Sequence, residues 1–250
     1  MFWCHRSESH ELWGHPGHRT AFGSGGARYD PAVERDELAA RIDHTLLRPE
    51  ATFADLDEAA SIAVSLRCAS LCVQPAMVSR AVSTVDGRIP VCSVVGFPHG
   101  ANLSRTKADE AASVVALGAS EVDVVADLAA LAEGDVGSVA ADVAEVRAAV
   151  PSTLLKVIVE SALWSPATLR QVSEAVIGAG ADFVKTSTGF HPSGGATVEA
   201  VRTMRAAVGT RASVKASGGI RDTATAVAML DAGADRLGLS ATVAVLDGLG

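Results

Sequence analysis

Two short stretches carry a lysine out of an apolar run into a hydroxyl- and glycine-rich turn. They are Phe183-Val184-Lys185-Thr186-Ser187-Thr188-Gly189 and, thirty residues later, Ser213-Val214-Lys215-Ala216-Ser217-Gly218-Gly219. Burial in a parallel strand disfavours an ammonium and drives a lysine toward the neutral amine that a nucleophile requires. Thirty residues is about one βα unit, and lysines at equivalent places on successive parallel strands stand ~4.8 Å apart near one mouth of the sheet. At ~6 Å and an effective dielectric of ~20, their charges repel by roughly 3 kcal/mol. One can then be neutral and nucleophilic while the other stays charged. The bland alternative is two solvated lysines at strand ends.

Carboxylates fall on the same kind of element. In Glu121-Val122-Asp123-Val124-Val125 the period of two puts Glu121, Asp123 and Val125 on one face. Asp123 is therefore a candidate for the interior, where an ionised carboxylate beside two lysines can order a water for proton transfer. The same period aligns Lys156, Ile158 and Glu160, which reads as a buried structural pair of Lys156 with Glu160. Ser217-Gly218-Gly219 and Gly238-Leu239-Ser240 have the makings of an anion cradle, because glycine lets backbone N–H groups approach a phosphate. His99 and His191 flank prolines in loops and read as surface residues, and no H-x-H or H-E-x-x-H set is present, so no metal is expected.

These residues need a scaffold that delivers strand ends to one place. Strands are expected at 41–45, 71–73, 90–96, 121–125, 154–160, around Lys185, around Lys215 and at 235–239. Helices are expected between them: 32–40 opened by Asp30-Pro31, a second running to Leu66 behind a Thr52/Asp55 capping box, then 76–85, 104–118, 135–150, one opened by Ser165-Pro166, 197–208 and 222–232. Gly118-Ala119, Gly180-Ala181 and Gly233-Ala234 each close a helix just before a strand, a weak repeat of two βα units. Eight alternating units without a G-x-G-x-x-G after the first strand favour a single-domain TIM (β/α)8 barrel over an open doubly wound sheet, with the site at the carboxyl ends of the strands.

At 250 residues and 48% hydrophobic, the chain suits one such barrel, read as residues 30–250. Residues 1–29 show no helix or strand period and hold four of the seven histidines, which reads as a disordered tail whose Cys4 and histidines lack metal-ligand spacing. A net charge of −8 and a pI near 5.3 argue against nucleic acid as the partner, while leaving room for a local phosphate pocket. With no apolar run of ~20 residues and no signal-peptide core, a soluble cytoplasmic protein without membrane contact is expected. Cys68, Cys72 and the other two cysteines are read as free thiols.

Several stretches together resemble the deoxyribose-phosphate aldolases: I-D-H-T-L-L-R-P at 42–49, V-V-G-F-P-H-G-A-N at 94–102, E-V-D-V-V at 121–125, L-L-K-V-I-V-E at 154–160, F-V-K-T-S-T-G-F at 183–190 and V-K-A-S-G-G-I-R at 214–221. The resemblance implies a metal- and cofactor-free class I aldolase splitting 2-deoxy-D-ribose 5-phosphate into acetaldehyde and D-glyceraldehyde 3-phosphate, with a sugar phosphate as its small-molecule partner and a homo-oligomer, dimer or tetramer, as its assembly. Under it, Lys185 would form the Schiff base, Lys215 would ease its deprotonation and Asp123 would move protons. Gly218, Gly219 and Ser240 would hold the phosphate with Thr188 and Gly189 nearby, and Asp43, Thr45 and Cys72 would line the pocket. Phe190 stands where some members have lysine, Ala241 where a second serine is common and Asp127 where many have asparagine; Tyr29 is the sole tyrosine, where some members have one at the carboxyl terminus. A transaldolase-like Schiff-base barrel and a non-catalytic sugar-phosphate-binding barrel are the alternative readings.

Overall fold

The computed structural model describes residues 35–249. The expected tail and the Asp30-Pro31 helix start lie outside the described residues. Eight strands, β1 (Ile42–Leu46), β2 (Ser70–Val73), β3 (Val91–Val95), β4 (Glu121–Val125), β5 (Leu154–Ile158), β6 (Phe183–Lys185), β7 (Ser213–Ser217) and β8 (Arg236–Leu239), run parallel and close into a barrel in chain order, β8 pairing back onto β1. The helices are α1 (Arg35–Ala39), α2 (Phe53–Ser65), α3 (Val78–Val85), α4 (Ser104–Ala116), α5 (Leu128–Ala132), α6 (Val136–Ala149), α7 (Pro166–Gly178), α8 (Val198–Val208), α9 (Thr223–Asp231) and α10 (Thr242–Asp247). The chain is a TIM barrel.

Each expected strand forms, and most boundaries move by a residue or two. Thr52 and Asp55 build the expected capping box of α2, and Ser165 caps α7 with Pro166 at its first turn. Two short helices lack a full apolar period and escape a reading by periodicity: α5 and α10. Asp127, the departure from asparagine, is the N-cap of α5, accepting from the backbone N–H groups of Ala129 and Ala130 at 3.0 Å. Aspartate and asparagine cap about equally well, so the exchange conserves its local job. The expected helix from residue 76 begins instead as a 3₁₀ turn, Pro75–Met77, before α3. β5 stops at Ile158, and Glu160 lies beyond it in a left-handed turn.

The Gly-Ala repeat has a packing reason. Arg147 of α6 donates to the Gly180 carbonyl and pairs with Asp182 at 2.6 Å, and Arg205 of α8 does the same with the Gly233 carbonyl and Asp235. A Cβ on Gly233 would stand 2.8 Å from Arg205 Cγ, so glycine is what lets the clamp close. Each clamp fixes the chain just before a lysine-bearing strand or its neighbour.

Apolar residues form the annulus between sheet and helices, with Val122, Val124, Val157, Val184 and Val214 all fully buried there. The inner face of the barrel is instead polar, an inversion of the branched aliphatic filling usual for this fold. His44, on the outer face of β1, is buried and hydrogen-bonds Thr242 of α10 through Nδ1 at 2.7 Å. Burial pulls its pKa down to about 4 from 6.5. Because the unfolded chain takes up the proton first, the stability it contributes is intact above pH ~6.5 and is lost as pH falls toward 4, by about 3 kcal/mol. Urea unfolding of wild type and His44→Gln across that window should show the slope in wild type and its loss in the variant.

Candidate active site

Inward-facing residues of four other strands converge on one carboxylate. Asp123 of β4 is fully buried. Its Oδ2 accepts from Lys185 Nζ at 2.6 Å and Lys215 Nζ at 2.8 Å, and its Oδ1 from Lys156 Nζ at 2.8 Å and the Cys92 thiol at 3.2 Å. Register explains the convergence: Lys185 pairs with Lys215 across β6 and β7, and Asp123 with Lys156 across β4 and β5. A slip of one residue in any of these strands would send its charged side chain into the apolar annulus.

A second tier completes the network below. Lys156 also pairs with Glu121 at 2.6 Å, Lys215 with Asp43, and Arg236 of β8 bridges Asp43 at 2.6 Å and Glu121 at 3.6 Å. The expected Lys156–Glu160 pair does not form. Lys156 finds its partners across the strands, whereas Glu160 points to Thr188. Burial alone would raise the Asp123 carboxyl, but the ammonium groups of Lys156, Lys185 and Lys215 outweigh it and hold the acid well below the usual carboxylate range. Burial opposes charge on Lys215 too, yet Asp123 and Asp43 hold its ammonium above the ordinary lysine range. Lys156 is held up likewise by Asp123, Asp43 and Glu121. Burial also lifts Asp43, which Lys215, Lys156 and Arg236 bring below the usual range.

The charges therefore close without Lys185. Three carboxylates, Asp43, Glu121 and Asp123, are matched by three cations, Lys156, Lys215 and Arg236. Lys185 shares a carboxylate that two other lysines already engage. It is also the one of the three lysines that reaches the cavity at the barrel mouth, a space of about 410 Å³ at the carboxyl ends of β1, β6, β7 and β8.

Thr45, Thr188, Gly189, Gly218, Gly219 and Ser240 line this cavity with Lys185. Asp43 and Cys72, expected to line the pocket, are fully buried and do not line this cavity. Gly218 has φ +83°, and a Cβ there would stand 2.9 Å from Gly195 Cα and 3.3 Å from Gly189 Cα, so a side chain would push apart the loops after β6 and β7. Arg48 and Arg221 also line the cavity and were not singled out from sequence. Neither was Arg236, although it shares the inward face of β8 with Gly238 and Ser240, nor Cys92, which shares that of β3 with Val94. His99 is exposed and His191 half-buried.

Among the described residues, Cys72, Cys92 and Asp123 bring two sulfurs and a carboxylate within 4.8 Å of one another. A dication there would face three ammonium groups already bonded to the same carboxylate, so the donor set is built for lysines rather than a metal.

A parallel barrel whose mouth presents Lys185, backed by buried ammonium groups and a buried carboxylate, has the architecture of a barrel enzyme with its site at the carboxyl ends of the strands. The family model described as DeoC/LacD family aldolase matches residues 38–245, and the chain belongs to that family. It is 57% identical over 220 residues to the deoxyribose-phosphate aldolase of Mycobacterium avium, covering 86% of this chain and 98% of that protein. It is 53% identical over 219 residues to that of Mycobacterium tuberculosis, covering 86% and 97%. Among solved structures, the deoxyribose phosphate aldolase of Aeropyrum pernix, described as tetrameric, superposes with a TM-score of 0.80 at 34% identity, covering 86% of this chain and 91% of that one.

Proposed function

We propose that this aldolase reversibly cleaves 2-deoxy-D-ribose 5-phosphate to acetaldehyde and D-glyceraldehyde 3-phosphate through an imine on Lys185. The observation that carries the reading is that Lys185 alone of the three lysines bonded to Asp123 lines the mouth cavity and lies outside the matched set of charges. Its amine adds to the C1 aldehyde of the open-chain sugar, and loss of water gives the imine. The imine draws electrons from the C2–C3 bond as a base removes the C3 hydroxyl proton, releasing glyceraldehyde phosphate. The remaining enamine is protonated at C2 and hydrolysed to acetaldehyde. Asp123, held ionised, is the proton acceptor, and the charged Lys215 beside it returns the proton and keeps the site electropositive. Amine chemistry polarises the carbonyl, so no metal or organic cofactor takes part.

The phosphate rests on Gly218, Gly219 and Ser240, with Thr188 and Gly189 closing one side and Arg48 and Arg221 adding charge at the rim. Ser240 with two arginines offsets the missing second serine at Ala241. The active form is a cytoplasmic homo-oligomer, a dimer or tetramer, as for the tetrameric relative from Aeropyrum pernix. Among the described residues, no helix is long and apolar enough to cross a membrane.

Borohydride reduction in the presence of acetaldehyde tests the assignment. An ethyl group is expected on Lys185 and on no other lysine of the barrel. A label on Lys215, or trapping by dihydroxyacetone in preference to acetaldehyde, would overturn the assignment, and ligand-dependent melting with neither label nor cleavage would support a binding protein instead.

A further inference from the structure

Glu160 is a buried carboxylate outside the charge network. Its backbone sits at φ 51°, ψ 59°, a left-handed conformation that costs a residue other than glycine or asparagine about 1 kcal/mol or more. Its side chain is 1% exposed, and its Oε1 has no hydrogen-bond partner. Oε2 accepts from both the Thr188 hydroxyl at 2.7 Å and the Thr188 backbone N–H at 3.3 Å. Thr188 Oγ1 in turn accepts from Phe190 N–H at 3.1 Å, and the Phe190 ring packs edge-on against Phe97 with centroids 5.2 Å apart. A strained backbone and a buried carboxylate serving neutral donors are two local costs at one residue. Such outliers persist where the surroundings require a fixed geometry.

What they fix is visible at the mouth. Thr188, Gly189 and Phe190 form one wall of the cavity, and Gly189 lies against Gly218, so close that a Cβ on Gly218 would come within 3.3 Å of Gly189 Cα. A shift of Thr188 would therefore pass through Gly189 to the glycines of the cradle. The Lys185 end of β6 is held by backbone bonds that do not involve the Glu160 side chain: the Lys185 carbonyl accepts from Val159 N–H at 3.0 Å, and Thr186 N–H donates to the Lys215 carbonyl at 3.0 Å.

We infer that Glu160 is a positioning residue for the phosphate-binding half of the mouth, acting through Thr188 on the Gly189–Gly218 contact and leaving imine formation on Lys185 untouched. The inference rests on the sugar-phosphate reading above and assigns a role that the network around Asp123 does not contain.

Glu160→Gly tests it cleanly, since glycine adopts the left-handed turn without strain and only the carboxylate is lost. Inorganic phosphate affinity, read by calorimetry, and KM for 2-deoxyribose 5-phosphate are both expected to weaken about tenfold or more, the scale of hydrogen bonds to a charged group. Acetaldehyde trapping on Lys185 should stay within about twofold of wild type, a split that general loosening of the fold would not produce. Glu160→Gln retains an oxygen for Thr188 and should restore most of the affinity. Thr188→Val removes the hydroxyl from the other side. It should also weaken phosphate binding, and in combination with Glu160→Gly it should add little, because the two act through one contact. If the glycine variant fails to fold, Glu160→Asn decides the question, because asparagine also accepts the left-handed turn and its shorter side chain does not reach Thr188. Unchanged phosphate affinity in these variants, or trapping that falls in step with it, overturns the inference. A wild type that fails to trap acetaldehyde would instead sink the reading of Lys185, and the phosphate comparison would still judge Glu160.

Discussion

Lys185→Met should abolish turnover, a loss of order 10⁴-fold or more, in a protein that folds as well as wild type. The rate loss follows from removing the only amine that the described residues place on the cavity wall, without which there is no covalent path. The intact fold follows from charge. Asp43, Glu121 and Asp123 keep Lys156, Lys215 and Arg236 as partners, so no buried carboxylate is left uncompensated. Most removals from a buried ion cluster cost several kcal/mol because one charge is orphaned. Lys185 is the exception predicted by the count. Steady-state kinetics paired with thermal melting is the measurement. Residual turnover within a factor of ~10² of wild type would mean that another amine forms the imine, and a large fall in melting temperature would mean that Lys185 is a structural cation rather than the spare amine.

Much of the site was legible because a parallel barrel imposes simple rules on sequence. A period of two on β4 places Asp123 inside, and the repeat of apolar run, lysine and small polar residues marks β6 and β7 as carrying equivalent lysines. What a single strand cannot reveal is its partner. The period of two pairs Lys156 with Glu160 along its own strand, whereas in the barrel its neighbours are Asp123 directly across the β4–β5 register and Glu121 on the same face of β4. The difference has a local cause: the strand ends at Ile158, and no residue type near Glu160 signals a left-handed turn.

The sequence places Asp123 near the two lysines but does not show that one of its oxygens bonds both. Read as a pair, Lys185 and Lys215 only repel. In the structure Asp123 Oδ2 bonds both, so the distinction between them comes from the whole network: Lys215 has Asp43 as a second carboxylate and is fully buried, while Lys185 has none and reaches the cavity. Arg236 and Glu121 decide that balance from the far end of the barrel interior. Periodicity places Glu121 on the inward face with Asp123 and puts Arg236 on that of β8, but their significance appears only when closure brings β8 beside β1.

Lys215→Met should damage both stability and activity, and should move the pH profile in a defined direction. The variant leaves three buried carboxylates facing two fixed cations, so Lys185 is recruited as the third. An amine adds to a carbonyl only as the neutral base, and loss of the Lys215 charge leaves Asp123 Oδ2 bonded to Lys185 with no second ammonium beside it. Both effects have the same sign. Imine formation at neutral pH should fall about 10- to 100-fold, one to two pH units' worth, and part of it should return as pH rises. Stability should drop by roughly 3–5 kcal/mol, the usual result of taking one partner from a buried pair. Single-turnover imine formation followed against pH in wild type and Lys215→Met decides the direction, and an unshifted profile would remove Lys215 from any electrostatic role. The double variant Asp43→Asn with Lys215→Met then separates the two causes. It leaves Glu121 and Asp123 matched by Lys156 and Arg236, so the balance is restored while the lost repulsion is not. A profile that moves back toward wild type identifies charge matching as the main device that leaves Lys185 free to react. One that stays with the single variant assigns that work to the ammonium of Lys215 itself.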